Sequence, residues 1–186
     1  MGIPTLIKTL TASDSASLAF VDGASDVVFD STYDEYMFVC TDIAPDSSGP
    51  EFSFQVSTDS GSNYNTTLTS TFFSSYHSEN DSSASLDYKT AEDQAQGTGY
   101  QNISDDIGNQ SGRSSSGILH LFSPSSTTYV KHFYSRFGVK NNAGVAIATL
   151  DQFVAGYFNT TSALDAISFK LSSGNFSGVV QMYGIA

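Results

Sequence analysis

A chain of 186 residues, 39% hydrophobic and 13% aromatic, is long enough for one domain with its own core and too aromatic for a disordered acidic chain. A formal net charge of −12 argues against a phosphate backbone as partner, so no nucleic acid is expected. The single Cys40 excludes an internal disulfide framework, and no run approaches the roughly 18 apolar residues of a spanning helix, so no membrane insertion is expected.

The opening MGIPTLIKTL lacks the basic start and long apolar run of a signal peptide, and Leu6 stands where a myristoylation pattern needs Ser or Thr. Residues 1–24 are expected to form an N-terminal arm or first strand, an interaction segment, ahead of a single β-sandwich domain over 25–186. Weak strands are expected at Ser17–Phe20 and Asp26–Phe29. Tyr36–Ile43 is apolar on both faces, as in a central strand, and ends at a loop marked by Pro45. Glu51–Ser57 alternates strictly. Phe52, Phe54 and Val56 face one way and Glu51, Ser53, Gln55 and Ser57 the other, the pattern of a half-buried antiparallel strand. Thr58–Asn65 has turn composition, and Thr67–Ser74 reads as a further weak strand.

His77–Ser116 is the least patterned stretch, with one helical turn expected at Thr90–Gln96, capped by Thr90. Gly117–Phe122 and Thr128–Phe137 flank Ser123–Thr127 and read as a hairpin. Leu150–Phe158 is another strand. Ala166–Leu171 and Phe176–Ile185, around Ser172–Asn175, read as a closing hairpin in which Ile167, Phe169 and Leu171 point inward. About nine short strands at this spacing indicate an all-β fold: an antiparallel, jelly-roll-like β-sandwich with long irregular loops.

No constellation points to catalysis. The abundant serines form no G-x-S-x-G elbow, and no acidic pair is marked by a helix end or an apolar pocket. No enzyme activity, cofactor or metal is expected. His120 and His132 sit on the two arms of the first hairpin, where a symmetric register sets them opposite each other, yet zinc needs three or four ligands. The acidic loops at Asp30/Asp34/Glu35, Asp42/Asp46, Glu79/Asp81 and Asp105/Asp106 match no calcium-binding loop. Asn-x-Ser/Thr triplets at Asn65, Asn80, Asn102, Asn159 and Asn175 are expected by chance in such a chain. Tyr64, Tyr76, Tyr88 and Tyr100 lie in or near loops rich in Asn, Ser and Gly. They are the candidate interaction residues, read either as contacts for a partner or sugar, or as packing anchors between subunits or within irregular segments.

Charge is unevenly spread. Residues 1–112 carry 17 acidic and two basic side chains, and residues 113–186 carry two acidic and five basic ones. If the two regions meet between neighbours, association should weaken as ionic strength rises.

The order of motifs carries a resemblance. Asp30-Ser31-Thr32-Tyr33-Asp34-Glu35-Tyr36 is followed by Ile43-Ala44-Pro45, Phe52-x-Phe54 and Ser57-Thr58-Asp59-Ser60-Gly61-Ser62-Asn63-Tyr64. Near the end come Gly156-Tyr157-Phe158-Asn159-Thr160-Thr161-Ser162-Ala163, Phe169-Lys170-x-Ser172-Ser173-Gly174-Asn175-Phe176 and Tyr183-Gly184-Ile185. From Val27 onward the chain resembles a virion structural protein family of tailed bacteriophages, best matched to marine phages such as those of cyanobacteria. The resemblance implies a β-sandwich module at a tail, fibre or capsid-decoration position, made in the host cytoplasm and located in the virion. It supplies no catalytic or ligand residues. The implied function is assembly with itself, a trimer being one guess, and with other virion proteins. The alternative is a carbohydrate- or receptor-binding module of a tail fibre or spike, with a host surface glycan as partner.

Overall fold

A computed structural model describes residues 2–141 and 147–186. Thirteen strands are formed among them and no helix. In chain order they are β1 (Thr5–Ser15), β2 (Ser17–Val21), β3 (Glu35–Pro45), β4 (Phe52–Ser57), β5 (Leu68–Ser78), β6 (Ala84–Tyr88), β7 (Ala95–Gly97), β8 (Gln101–Ser104), β9 (Ser115–Phe122), β10 (Lys131–Lys140), β11 (Ala148–Phe158), β12 (Ala166–Leu171) and β13 (Phe176–Ile185). All pair antiparallel. The large sheet has the order β1-β13-β3-β9-β10-β11-β5-β6, with β7 also on β5, and the small sheet has the order β2-β12-β4-β8.

The alternation of Phe52/Phe54/Val56 and of Ile167/Phe169/Leu171 builds the inner face of the small sheet, since β4 and β12 pair in register Phe54↔Phe169. These side chains are fully or almost fully buried. They meet the large sheet ring to ring: Phe54 lies 5.1 Å from Phe133 and 5.8 Å from Phe158, and Phe52 lies 6.1 Å from Phe137. Phe38 of the central strand β3 touches both Phe20 (5.6 Å) and Phe169 (5.5 Å). Mostly edge-to-face or tilted pairs fill the gap between the sheets, the geometry that ring quadrupoles favour.

The two hairpin readings fare differently. β9 and β10 do pair, but Phe133 opposes Leu121, so His120 faces Tyr134 and His132 faces Tyr157. The turn between them takes eight residues rather than five, which shifts the register by two and parts the histidines. The expected closing hairpin does not form. Ser172–Asn175 carries the chain from one sheet to the other: β12 pairs with β2 and β4, β13 with β1 and β3. Asp26–Phe29 is not a strand; Val27 and Phe29 are core residues on an irregular segment. At Thr90–Gln96 there is a single turn closed by Glu92 N–H on the Lys89 carbonyl, followed by β7.

β4 is buried on both faces, not half-buried. Gln55 points away from the core and is covered by loops that it holds. Its side-chain amide donates to the carbonyls of Thr66 (3.0 Å), Thr98 (3.2 Å) and Gly99 (2.8 Å). Lys131 is equally enclosed; its ammonium donates to the carbonyls of Thr160 (3.2 Å) and Ser162 (2.6 Å) and fixes the β11–β12 connection. Under the β11–β5 wing the contacts turn polar. Ser70 Oγ donates to Gln101 Oε1 (2.5 Å), and Gln152 Oε1 accepts from Asp105 N–H (2.8 Å).

Two measurements check this account of the core and wing. Phe169→Ala should lower unfolding free energy in urea by about 3–5 kcal/mol, the cost of emptying an aromatic site. Burial, with Glu92 nearby, pushes the Asp105 carboxyl up to about 6. A carboxyl raised on folding stabilises fully below its ordinary pKa near 4 and loses that contribution as pH rises through 6. Asp105→Asn should therefore gain about 2 kcal/mol over wild type at pH 7.5 and almost nothing at pH 4.

Candidate interaction face

The two sheets differ in what covers their backs. On the small sheet the outward side chains Ser53, Gln55, Ser57 and Ser168 of β4 and β12 are buried beneath loops, and only the edge strand β2 leaves outward positions exposed, at Ser17 and Ala19. The large sheet has no such cover. Its outward positions follow from register: Val39, Ile118, Arg136, Phe153, Phe73 and Tyr88 lie in one row across β3-β9-β10-β11-β5-β6. Beside them runs Met37–His120–Tyr134–Ala155–Thr71. Phe73 is 40% exposed, Tyr134 46% and Tyr88 53%, with Leu86 and Ile118 also open to solvent.

The rings on this face stack side by side. Phe73 and Phe153 lie parallel at 5.0 Å, and the Arg136 guanidinium covers Phe153 at 4.8 Å. His120 and Tyr134 stack at 4.5 Å, with Phe122 at 5.7 Å from Tyr134. Phe153, Phe73 and Tyr88 thus form a ridge. Next to it, where Gly138 lacks a side chain, a trough of about 620 Å³ opens between Ile118, Tyr134 and Arg136. It continues past Gly138 into a second hollow of about 420 Å³.

The face is electrically self-compensated. Arg136 grips Asp151 with two hydrogen bonds, at 2.9 and 2.6 Å. Lys140 pairs with Glu79 at 3.4 Å, His77 meets Asp81 at 3.2 Å, and His120 Nδ1 meets Glu35. These are the ion pairs among the described residues, and all lie on this face or its rim. In strands β9, β10, β11, β5 and β6, every outward Arg, Lys, Asp and Glu is paired within the chain. The basic second half is therefore no free basic patch. Arg136 and Lys140 are paired, Lys131 is buried, Arg113 donates to the Asn141 carbonyl (3.0 Å), and Lys170 sits 4.2 Å over the Tyr100 ring.

The candidate tyrosines fall into separate places. Tyr64 and Tyr100 come together at 6.5 Å on the loops that cover the small sheet, next to Lys170. The turn before Tyr64 is organised by Asp59, which accepts from Asn63 N–H (2.9 Å), Asn63 Nδ2 (2.7 Å) and Ser57 Oγ (2.7 Å); these bonds hold its carboxyl down at about 2. Tyr76 points inward from β5 and packs on the core. Tyr88 alone joins the open face, and its hydroxyl donates to Asp93. Phe73, Phe153, Tyr134 and Arg136 escaped the reading of the sequence. Their signal was the apolar doublets Phe72-Phe73, Phe133-Tyr134 and Phe153-Val154, each of which sends one side chain to either face of a strand. No group of three or more His, Cys, Asp or Glu side chains able to hold a metal occurs among the described residues.

Because these rings stack outside the core, removing one should hardly affect folding. Phe73→Ser and Tyr134→Ser should each cost no more than about 1 kcal/mol in urea unfolding, the scale of a cross-strand pair. A loss comparable to that of Phe169→Ala would show that the face is structural.

The chain matches no family model, and no curated protein or solved structure is significantly similar to it.

Proposed function

We propose that the protein is a structural component of a phage virion that works by assembly, with copies of itself and with other virion proteins. The carrying observation is the uncovered outward face of the large sheet. It is broad, aromatic and charge-compensated, whereas loops bury the outward Ser53, Gln55, Ser57 and Ser168 of the central strands of the small sheet. Interface cores are depleted in free charge and enriched in aromatics, Met and Arg, which is the composition of this face. An open apolar face of this size on a monomer marks an interaction site.

The chain path adds support. β5–β7 and β10–β11 all extend the large sheet; without them the orders become β1-β13-β3-β9 and β2-β12-β4-β8. We read that interleaving as the strand path of a jelly roll, an architecture of viral capsid and lectin domains among others. The virion setting rests on the resemblance of the sequence motifs.

The glycan-binding alternative has the trough in its favour. The ring geometry favours assembly. A sugar binds an aromatic side chain by laying its C–H groups on a free ring face, where the quadrupole is negative. Phe153 is covered on both faces by Phe73 and Arg136, and the Tyr134 ring is stacked on His120.

Antibody raised against the purified protein should label intact phage particles. Chain found only free in the lysate would contradict the virion reading. Self-association at micromolar concentration should tighten as salt rises, because copies of net charge −12 repel and the basic side chains are engaged inside each chain. The opposite trend would restore the contact between acidic and basic regions anticipated from the charge split.

A further inference from the structure

We infer that the outward face of the large sheet packs against the same face of a second copy, the Phe153–Phe73–Tyr88 ridge of each seated in the trough at Gly138 of the other. This rests on the assembly reading and specifies its partner and geometry.

Shape is the first argument. The ridge stands on β11, β5 and β6, and the trough lies over β9 and β10 and reaches the Thr149–Asp151 end of β11, beside the ridge on one sheet. A half-turn about an axis in the contact plane, along the strands between β10 and β11, brings each ridge over the opposing trough. A surface that meets itself in this way is isologous and closes as a pair, so a trimer, the guess attached to the resemblance, would need a second contact.

Charge is the second. Two chains of net charge −12 meet at least cost where neither presents an unpaired charge. The central strands of this face satisfy that condition through Arg136–Asp151 and Lys140–Glu79. A basic partner would be drawn instead to acidic loops whose carboxylates enter no ion pair among the described residues, such as Asp30/Asp34 and Asp105/Asp106.

Area is the third. At a strand spacing of about 4.8 Å and a rise of about 3.4 Å per residue, the face offers roughly 1,000 Å² per copy. A stable interface needs about 800 Å² per partner.

Gly138 supplies a clean test. A Cβ built there meets only the Ser116 carbonyl oxygen, at 3.9 Å, and its backbone is not in the left-handed region, so a side chain fits without strain. Gly138→Arg should fill the trough, and Phe73→Ser with Phe153→Ser should flatten the ridge. Thermal melting and circular dichroism verify that each variant is folded. By sedimentation equilibrium of the full chain, each change should weaken pairing at least tenfold. Tyr129→Ser, on the exposed loop before β10, should leave it intact. Wild type monomeric at tens of micromolar would overturn both this inference and the self-assembly reading. Variants with the trough filled or the ridge flattened that associate as well as an associating wild type would overturn the face-to-face contact alone.

Discussion

A single layer of phenylalanine rings between two sheets of unequal width governs this molecule. Phe52, Phe54 and Phe169 of the small sheet each touch rings of the large one or of one another, so the sheets are held at the spacing the rings dictate. Four strands cannot cover the inner face of the wider sheet. The remainder, beneath β11 and β5, is closed by the middle of the chain through Gln101, Gln152, Ser70 and Asp105, whose hydrogen bonds replace apolar contact. Chain spent on that closure, and on the loops held by Gln55, leaves nothing for the back of the large sheet. The open face follows from the inequality of the two sheets.

The same inequality separates stability from interaction. Inward side chains are buried and irreplaceable in volume. Outward ones on the large sheet stack in exposed rows and contribute little to folding, so they are free to serve contact. Charge follows the division. The chain is strongly acidic, yet Arg136 and Lys140 neutralise carboxylates of one face, while Arg113 and Lys131 hold backbone carbonyls, Lys131 for the segment before β12. Most of the acidic surplus is left on loops, where it opposes association away from the compensated face.

Much of the core was legible in the sequence. Phe52/Phe54/Val56 and Ile167/Phe169/Leu171 declare their inner face by period alone, and Tyr36–Ile43, apolar on both sides, is indeed flanked by strands on both edges. Period-2 alternation does not say which sheet a strand joins. Ser172–Asn175 has the composition of a hairpin turn and serves as a crossover between layers. It also does not say what will lie over a polar face, so Gln55 read as solvated although loops bury it. The open face was the least legible feature. Phe73, Phe153 and Tyr134 look like ordinary strand residues until register sets them in one row, and that register depends on pairings far apart in sequence, such as Phe153↔Phe73. Loop tyrosines drew attention because they stood among polar residues, yet Tyr64 and Tyr76 are part-buried and only Tyr88 reaches the face.

Hydroxyl-radical footprinting of the protein, diluted and assembled, tests the central claim most directly. Phe73, Phe153 and Tyr134 should lose reactivity together on assembly, while Tyr129, 73% exposed on its loop, keeps its own. Assembly that leaves the three face rings as reactive as in the dilute protein would contradict the account.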